Sequence, residues 1–450
     1  MAKTWAISGI DLHVEPGSTR LRAGLEGAIR DAVRTGRLPP GTRLPSSRSL
    51  AVDLGVARNT VAAAYGQLVA EGWLAARPGA GTRVAHTAMV EADRAPEPEP
   101  RQPRFDLRAG SPDVAAFPRT AWLAAARRAL LEASAEALGY SDARGRIELR
   151  RALAGYLSRA RGVRADPECI VVCSGFAQGL TALCRVLGGE IALEAFGHQR
   201  HRDTVTANGF VASALSVDER GAVVAELSRQ AAAVLTPAHQ FPLGPVLAAT
   251  RRTAAVDWAR ETDGLIVEDD YDGEFRYDRQ PVGAMQALAP EHIVYAGTVS
   301  KSLAPGLHLG WLVVPWRLVD EVARAVQFSG GPSALDQLTM ARLIDSTGYD
   351  RQIRRARLAY KRRRDQLIAA LGPLTGIAAG LHAVLELGDA AEDETVERAR
   401  EHGVVVDGLA SYAALGHARG PALVVGYGTP PEHAYSTAVA RLVAALSSVR

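Results

Sequence analysis

Near the N-terminus apolar residues recur at every fourth position, Leu21, Leu25, Ile29 and Val33, the stripe of an amphipathic helix. The stop signal Pro39-Pro40-Gly41 follows, and Ser46 or Ser47 then stands where it can cap a short helix reaching Leu54. Gly55 breaks that helix, and another begins near Ala57 with Val61, Tyr65 and Leu68 as its buried stripe. Trp73-Leu74, the turn Pro78-Gly79-Ala80-Gly81 and Thr82-Arg83-Val84 read as a small hairpin. This order predicts a winged helix-turn-helix over residues 10–85.

From Phe105 the pattern changes. The runs CIVVC, IALEA, AAVLT, GLIVED and HIVYAG are short and apolar, with helical stretches between them. They predict an α/β fold with a largely parallel or mixed central sheet over residues 105–450. Residues 86–104 lie between the two patterns and include EADRAPEPEPRQPR, whose alternating Glu and Pro favour a semi-rigid linker. A chain of 450 residues is too long for one core, so two or more domains are expected.

Composition adds little until charge is divided along the chain. Residues 1–85 carry 11 Lys+Arg against 6 Asp+Glu, whereas the rest carries 41 against 43. A basic head on a near-neutral body points to a polyanionic partner for the head. Arg58, Asn59 and Thr60 stand in the first turn of its last helix, where Arg can read guanine and Asn adenine. Arg43 and Arg48 would hold phosphates beside Ser47, and the Gly79 tip lets backbone approach a groove. The plainer alternative is a trihelical packing domain with ordinary surface arginines.

No apolar run approaches membrane-spanning length, and MAKTWAISG lacks the apolar core of a signal peptide. Cys169, Cys173 and Cys184 lack a second ligand pair for zinc and read as reduced thiols. No metal is expected, and the expected compartment is the cytoplasm.

Ligands of such sheets sit at the C-terminal ends of the strands, so those ends carry the candidate chemistry. VVCSGFAQGL runs a strand into Gly175, Phe176 and Ala177 at a helix start, a source of free N–H groups for phosphate. GLIVEDDYDGEF drives a strand into a cluster of acids that has no interleaved His to favour a metal. GTVSKSLAPGLHLGW sets Lys301 just past another strand, with Thr298 and Ser300 beside it. Each piece alone is commonly a mere turn or surface feature. In this order they supply what pyridoxal 5′-phosphate (PLP) requires: a phosphate cradle, Asp269 for the pyridine nitrogen and Lys301 for a Schiff base. Tyr271 can reach the ring 3′-oxygen and Thr298 the phosphate.

Two families carry these stretches. PPGTRLPSSRSLAVDLGVARNTVAAAYGQLVAEGWLAARPGAGTRV closely resembles the DNA-binding domain of the GntR family, nearly continuously over residues 20–84. GYSDARGRIELRRALAGYLSRARGV, TPAHQFPLG, VEDDYDGEFRY and GTVSKSLAPGLHLGW resemble the fold-type I PLP-dependent aminotransferases. Together they are similar to the MocR subfamily of GntR transcriptional regulators. The resemblance implies an internal aldimine on Lys301, Asp269 at the ring nitrogen and Tyr271 at the 3′-oxygen. It further implies a head-to-tail homodimer that binds operator DNA and responds to PLP itself or to an amino compound.

Three positions depart from the family's pattern. His308 stands where an Arg usually grips the phosphate, and imidazole cannot fork bidentately. His198 takes the place of the aromatic that stacks on the ring, and Val424 that of the Arg for a substrate carboxylate. Without that Arg, sensing is expected rather than efficient transamination, with Arg202 a possible substitute. An active aminotransferase carrying a DNA-binding head, and a regulator with a decayed cofactor site, are the rival readings. The basic run RQIRRARLAYKRRRDQL reads as a solvated helix face, with DNA phosphates as the sharper alternative.

Overall fold

The computed structural model describes residues 3–7, 10–14, 21–77, 81–85, 105–140, 142–277 and 282–447. Two compact units divide the chain, Met1–Gln102 and Pro103–Arg450. The linker assigned to 86–104 and the wing tip at Gly79 lie outside the described residues, except that the second unit begins at Pro103.

In the first unit β1 (Lys3–Ile7) and β2 (Ile10–Val14) pair antiparallel. α1 (Leu21–Arg34), α2 (Ser47–Leu54) and α3 (Arg58–Ala70) follow, then the hairpin of β3 (Leu74–Arg77) and β4 (Gly81–Val84). Ser46 is the residue that caps α2, accepting from the Ser49 amide at 3.1 Å, and Gly55 ends it at φ 64. That left-handed conformation is one glycine adopts without strain. Leu25, Ile29, Val33, Val61, Tyr65 and Leu68 are buried together in one core. Leu21, the first member of the expected stripe, is instead 42% exposed, because it opens the helix where the stripe turns away from the core.

The second unit is built on a seven-stranded sheet. Its strands are β5 (Ile170–Cys173), β6 (Glu190–Glu194), β7 (Val211–Leu215), β8 (Ala232–Leu235), β9 (Leu265–Asp269), β10 (Ile293–Thr298) and β11 (Gly310–Val313), in the spatial order β5-β11-β10-β9-β8-β6-β7. All run the same way except β11, which is antiparallel to both neighbours. The expected mixed sheet is therefore present, and six C-terminal strand ends share one edge. Helices α4 (Ile147–Arg161), α5 (Phe176–Val186) and α6 (Gln199–Ala207) belong to this body. The long α7 (Gly348–Leu371) precedes a C-terminal lobe with its own antiparallel sheet, in which β12 (His382–Glu386) and β13 (Asp407–Gly408) flank β14 (Ala422–Gly426). Phe105–Asp106 pairs with Val404–Val405, so the start of the body runs along this lobe before reaching the main sheet. Among the described residues no helix is long and apolar enough to cross a membrane.

Candidate functional site

In the first unit α3 starts at Arg58. Arg58 and Asn59 are exposed and Thr60 is half-buried; on the preceding helix Arg48 is exposed and Ser47 half-buried. Arg43 is exposed beside the hairpin, bridged to Arg83, with its guanidinium 3.3 Å from where a Cβ on Gly81 would stand. Charge pairing separates two groups of arginines. On α1, Arg22 meets Glu26 at 2.7 Å, Arg34 meets Asp31 at 3.0 Å, and Arg30 meets Glu71 at 2.8 Å. Arg43, Arg48 and Arg58 have no acidic partner among the described residues. These three lie on elements that a helix-turn-helix presents to phosphates and base edges, and Arg37, Arg77 and Arg83 likewise have no acidic partner among the described residues.

In the body, one segment sorts five acids by alternation and distance. Glu268 is buried and accepts from the Met285 and Gln286 amides, both at 2.8 Å. Asp270 takes the Arg161 guanidinium at 2.7 Å and the Tyr295 hydroxyl at 2.7 Å. Asp272 meets His239 Nδ1 at 2.8 Å, and Glu274 accepts from Tyr156 at 3.2 Å. Asp269 alone points into a cavity, and among the described residues no donor reaches its carboxylate. The segment is therefore four satisfied acids and one unsatisfied one. No group of three or more ligands able to hold a metal occurs among the described residues.

That cavity, about 150 Å³, opens at the shared C-terminal strand edge and is lined by Asp269, Lys301, Tyr271, Thr298, His198 and Phe176 among others. Lys301 Nζ donates to the Gly110 carbonyl. Burial lowers the Lys301 pKa, opposed by the nearby Asp269 and Asp272 carboxylates. Burial pushes the Asp269 carboxyl up to about 8, against the pull of the Lys301 ammonium. A carboxylate so placed is costly unless a cation or a donor meets it. Thr298 Oγ1 lies 2.9 Å from Ser300 Oγ and accepts from the Ser300 amide at 3.1 Å. Burial holds His198 down at about 4 and His201 at about 3, so both imidazoles are neutral near pH 7.

The expected phosphate cradle begins at Gly175, whose φ of 127 admits glycine, and no side chain caps the helix it opens. The first amides of α5 therefore have no partner within the helix. Phe176 lines the cavity, whereas Gly175 and Ala177 do not. His308 is exposed at φ 46 and does not line the cavity either. It stands two residues before Gly310, which pairs with Cys173 at the end of β5.

His198 stacks on Phe241 at 4.1 Å, so one face of its ring is already covered. Tyr271 donates its hydroxyl proton to the His239 carbonyl at 3.0 Å, with His239 Nδ1 3.1 Å away. Val424 is fully buried in the middle of the lobe sheet, opposite Val384. Arg202 does line the cavity, but its guanidinium donates to the backbone carbonyls of Glu194 at 3.0 Å and Ala195 at 2.6 Å. Its role is to hold the strand end, and it leaves no fork for a carboxylate.

Glu194, His201, His239 and Phe241 were not singled out in the sequence. Glu194 ends β6 buried, accepts from Thr236 Oγ1 at 2.5 Å and from Gln240 at 3.1 Å, and is raised to about 7 by burial. Its signal was available, since the strand EIALE ends on an acid as LIVED does.

The donors of the cavity fit PLP chemically. A buried carboxylate without a donor suits a protonated ring nitrogen, free helix amides suit a phosphate, and a buried amine of lowered pKa suits an aldehyde. A winged helix-turn-helix joined to a fold-type I aminotransferase body defines a class of transcriptional regulator. The sequence profile of aminotransferase class I and II matches residues 104–419, and that of the bacterial regulatory proteins of the gntR family matches residues 21–84. The chain is 34% identical over 447 residues to the HTH-type pyridoxine biosynthesis transcriptional regulator PdxR of Corynebacterium glutamicum, covering 95% of this chain and 96% of that one. It is 32% identical over 408 residues to the probable rhizopine catabolism regulatory protein MocR of Rhizobium meliloti, covering 83% of each. The body superposes on kynurenine aminotransferase from Pyrococcus horikoshii with a TM-score of 0.70 at 23% identity, over 78% of this chain and 92% of that one, a likeness of fold. The chain belongs to the MocR-type regulators of the GntR family and is an HTH-type transcriptional regulator with an aminotransferase-like body of the PLP-dependent fold.

Proposed function

We propose that the body binds PLP at Lys301 and that its occupancy governs how the head binds operator DNA. The carrying observation is the Asp269 carboxylate, buried without a donor in the cavity that Lys301 lines. PLP supplies an aldehyde for an amine and a ring that acts as an electron sink. Lys301 Nζ would hold the aldehyde carbon, and Asp269 would accept from the ring nitrogen and gain the hydrogen-bond donor that it otherwise lacks. Thr298, Ser300 and the first amides of α5 would hold the phosphate. His198, backed by Phe241, would offer its free face to the ring. Tyr271, its own proton engaged at His239, would meet the 3′-oxygen.

The effector is PLP itself. Among the described residues Arg202 is the cavity's one guanidinium, and its N–H groups are held by backbone carbonyls, so a substrate carboxylate finds no fork. The name of the Corynebacterium relative, a regulator of pyridoxine biosynthesis, agrees with this reading. The working unit is a homodimer, as in the family's head-to-tail arrangement. Leu123, Leu130 and Leu131, exposed by 67%, 53% and 74% on the helix Arg119–Glu132, form apolar surface of the kind that an interface covers.

The test is spectroscopic. Protein mixed with PLP is expected to gain a visible band that borohydride abolishes, leaving the label on the peptide that contains Lys301. No band in the wild type, or an unchanged band in Lys301→Ala, contradicts the assignment.

A further inference from the structure

α7 buries one face and leaves the other to solvent. Ile353, Ala356, Tyr360, Arg363 and Leu367 are its buried stripe, at three- and four-residue spacing. Arg363 is neutralised there: it meets Asp113 at 2.7 Å and donates to the Gly428 carbonyl at 2.9 Å. The basic run thus contributes one cation to the core. On the opposite face Arg351, Arg354, Arg355 and Arg362 are all exposed. They extend over about 16 Å at the helical rise of about 1.5 Å per residue.

Pairing decides between a solvated face and a binding face. Arg351 donates to the Thr347 hydroxyl at 2.8 Å, which is neutral. Arg362 has Glu432 only at 3.9 Å, with both side chains about two-thirds exposed at 68% and 67%. Arg354 and Arg355 have no partner among the described residues. The remaining pair on this face, Lys361 with Asp365 at 2.7 Å, closes on itself. A face that serves only solubility mixes its signs, as α1 does with Arg22, Glu26 and Arg30. Arg351, Arg354 and Arg355 instead set like charges at helical neighbour positions, which is unfavourable for the helix alone.

We infer that this face of α7 is a second, sequence-independent contact for the phosphate backbone of duplex DNA. The partner follows from charge and from the class of the protein, a DNA-binding regulator whose head already meets a polyanion. Guanidinium groups fork onto phosphate oxygens better than any other side chain. A stripe of about 16 Å matches the axial rise of roughly five nucleotides of one strand. The inference rests on the regulator class and is independent of the cofactor reading.

The experiment measures binding of the full chain to a random-sequence duplex of about 60 base pairs, at salt from about 50 to 200 mM. Each phosphate contact contributes about 0.9 to the slope of log K against log salt, so Arg354→Gln/Arg355→Gln is expected to flatten that slope by about 2. Arg185→Gln/Arg229→Gln removes the same charge at exposed positions elsewhere on the body and is expected to leave the slope alone. A wild-type slope in the α7 variant, or an equal loss in the control, overturns the inference. So does a loss confined to RNA or to an acidic protein.

Discussion

Asp269 illustrates how a site is made from an unfavourable residue. Burial raises its carboxyl to about 8, far above the 3.8 of a free carboxyl. Between those values the folded, cofactor-free protein binds the proton that the unfolded chain releases. Stability of that form therefore falls as pH rises from about 4 toward 8 and levels off above. Asp269→Asn removes the penalty: near pH 9 the cofactor-free variant is expected to be more stable by on the order of a few kcal/mol in urea unfolding. The same variant is expected to lose PLP affinity, because the ring nitrogen loses its counter-charge. Equal stability of the two proteins at about pH 9 would show that Asp269 is not held in this way. Asp269 could be singled out in the sequence by its place at a strand end. The partners of its neighbours could not: Arg161 is 109 positions from Asp270, and Tyr156 is 118 from Glu274. Only folding brings such pairs together. The exposed placement of His308 and the burial of Val424 in the lobe sheet were not legible for a related reason, since alignment to a family gives a position along the chain but not where its side chain faces.

Elements were legible where local chemistry decides them. The caps of α2 and the apolar stripes of α1 and α3 are written within a few residues, and the structure keeps them apart from the outermost Leu21. Gly55 shows how local that control is. Its φ of 64 suits glycine, so Gly55→Ala is expected to destabilise the head by about 1 kcal/mol, read as a lower midpoint in thermal or urea unfolding. Of the seven strands of the main sheet, the two absent from the apolar runs read in the sequence are β7, VASAL, and β11, GWLV. β7 lies at the sheet edge with partly exposed residues, so it produces no clear apolar run, whereas β11 is as short, apolar and buried as β5 and its signal was available. α7 was readable as a helix, but its buried Arg363 was not, because its partners Asp113 and Gly428 come from distant segments.

At the scale of the whole molecule, charge and composition divide the chain, and each unit keeps its own chemistry. The head carries Arg43, Arg48 and Arg58 without acidic partners, while the body carries a buried amine and a buried acid in one cavity. Arg58→Ala is expected to weaken binding to the promoter beside the protein's own gene by about 1–3 kcal/mol and to relax preference at one base position. An unchanged preference would remove Arg58 from the base-reading set. The central claim joins the two units: ligand in the body changes DNA affinity in the head. Such coupling is typically about 1–3 kcal/mol, or roughly 5–150-fold. It is tested most directly by measuring affinity for that promoter with and without PLP, in wild type and in Lys301→Ala. The account predicts a PLP-dependent change of at least about fivefold in the wild type and none in the variant. A wild type indifferent to PLP, or a variant that responds equally, would contradict it.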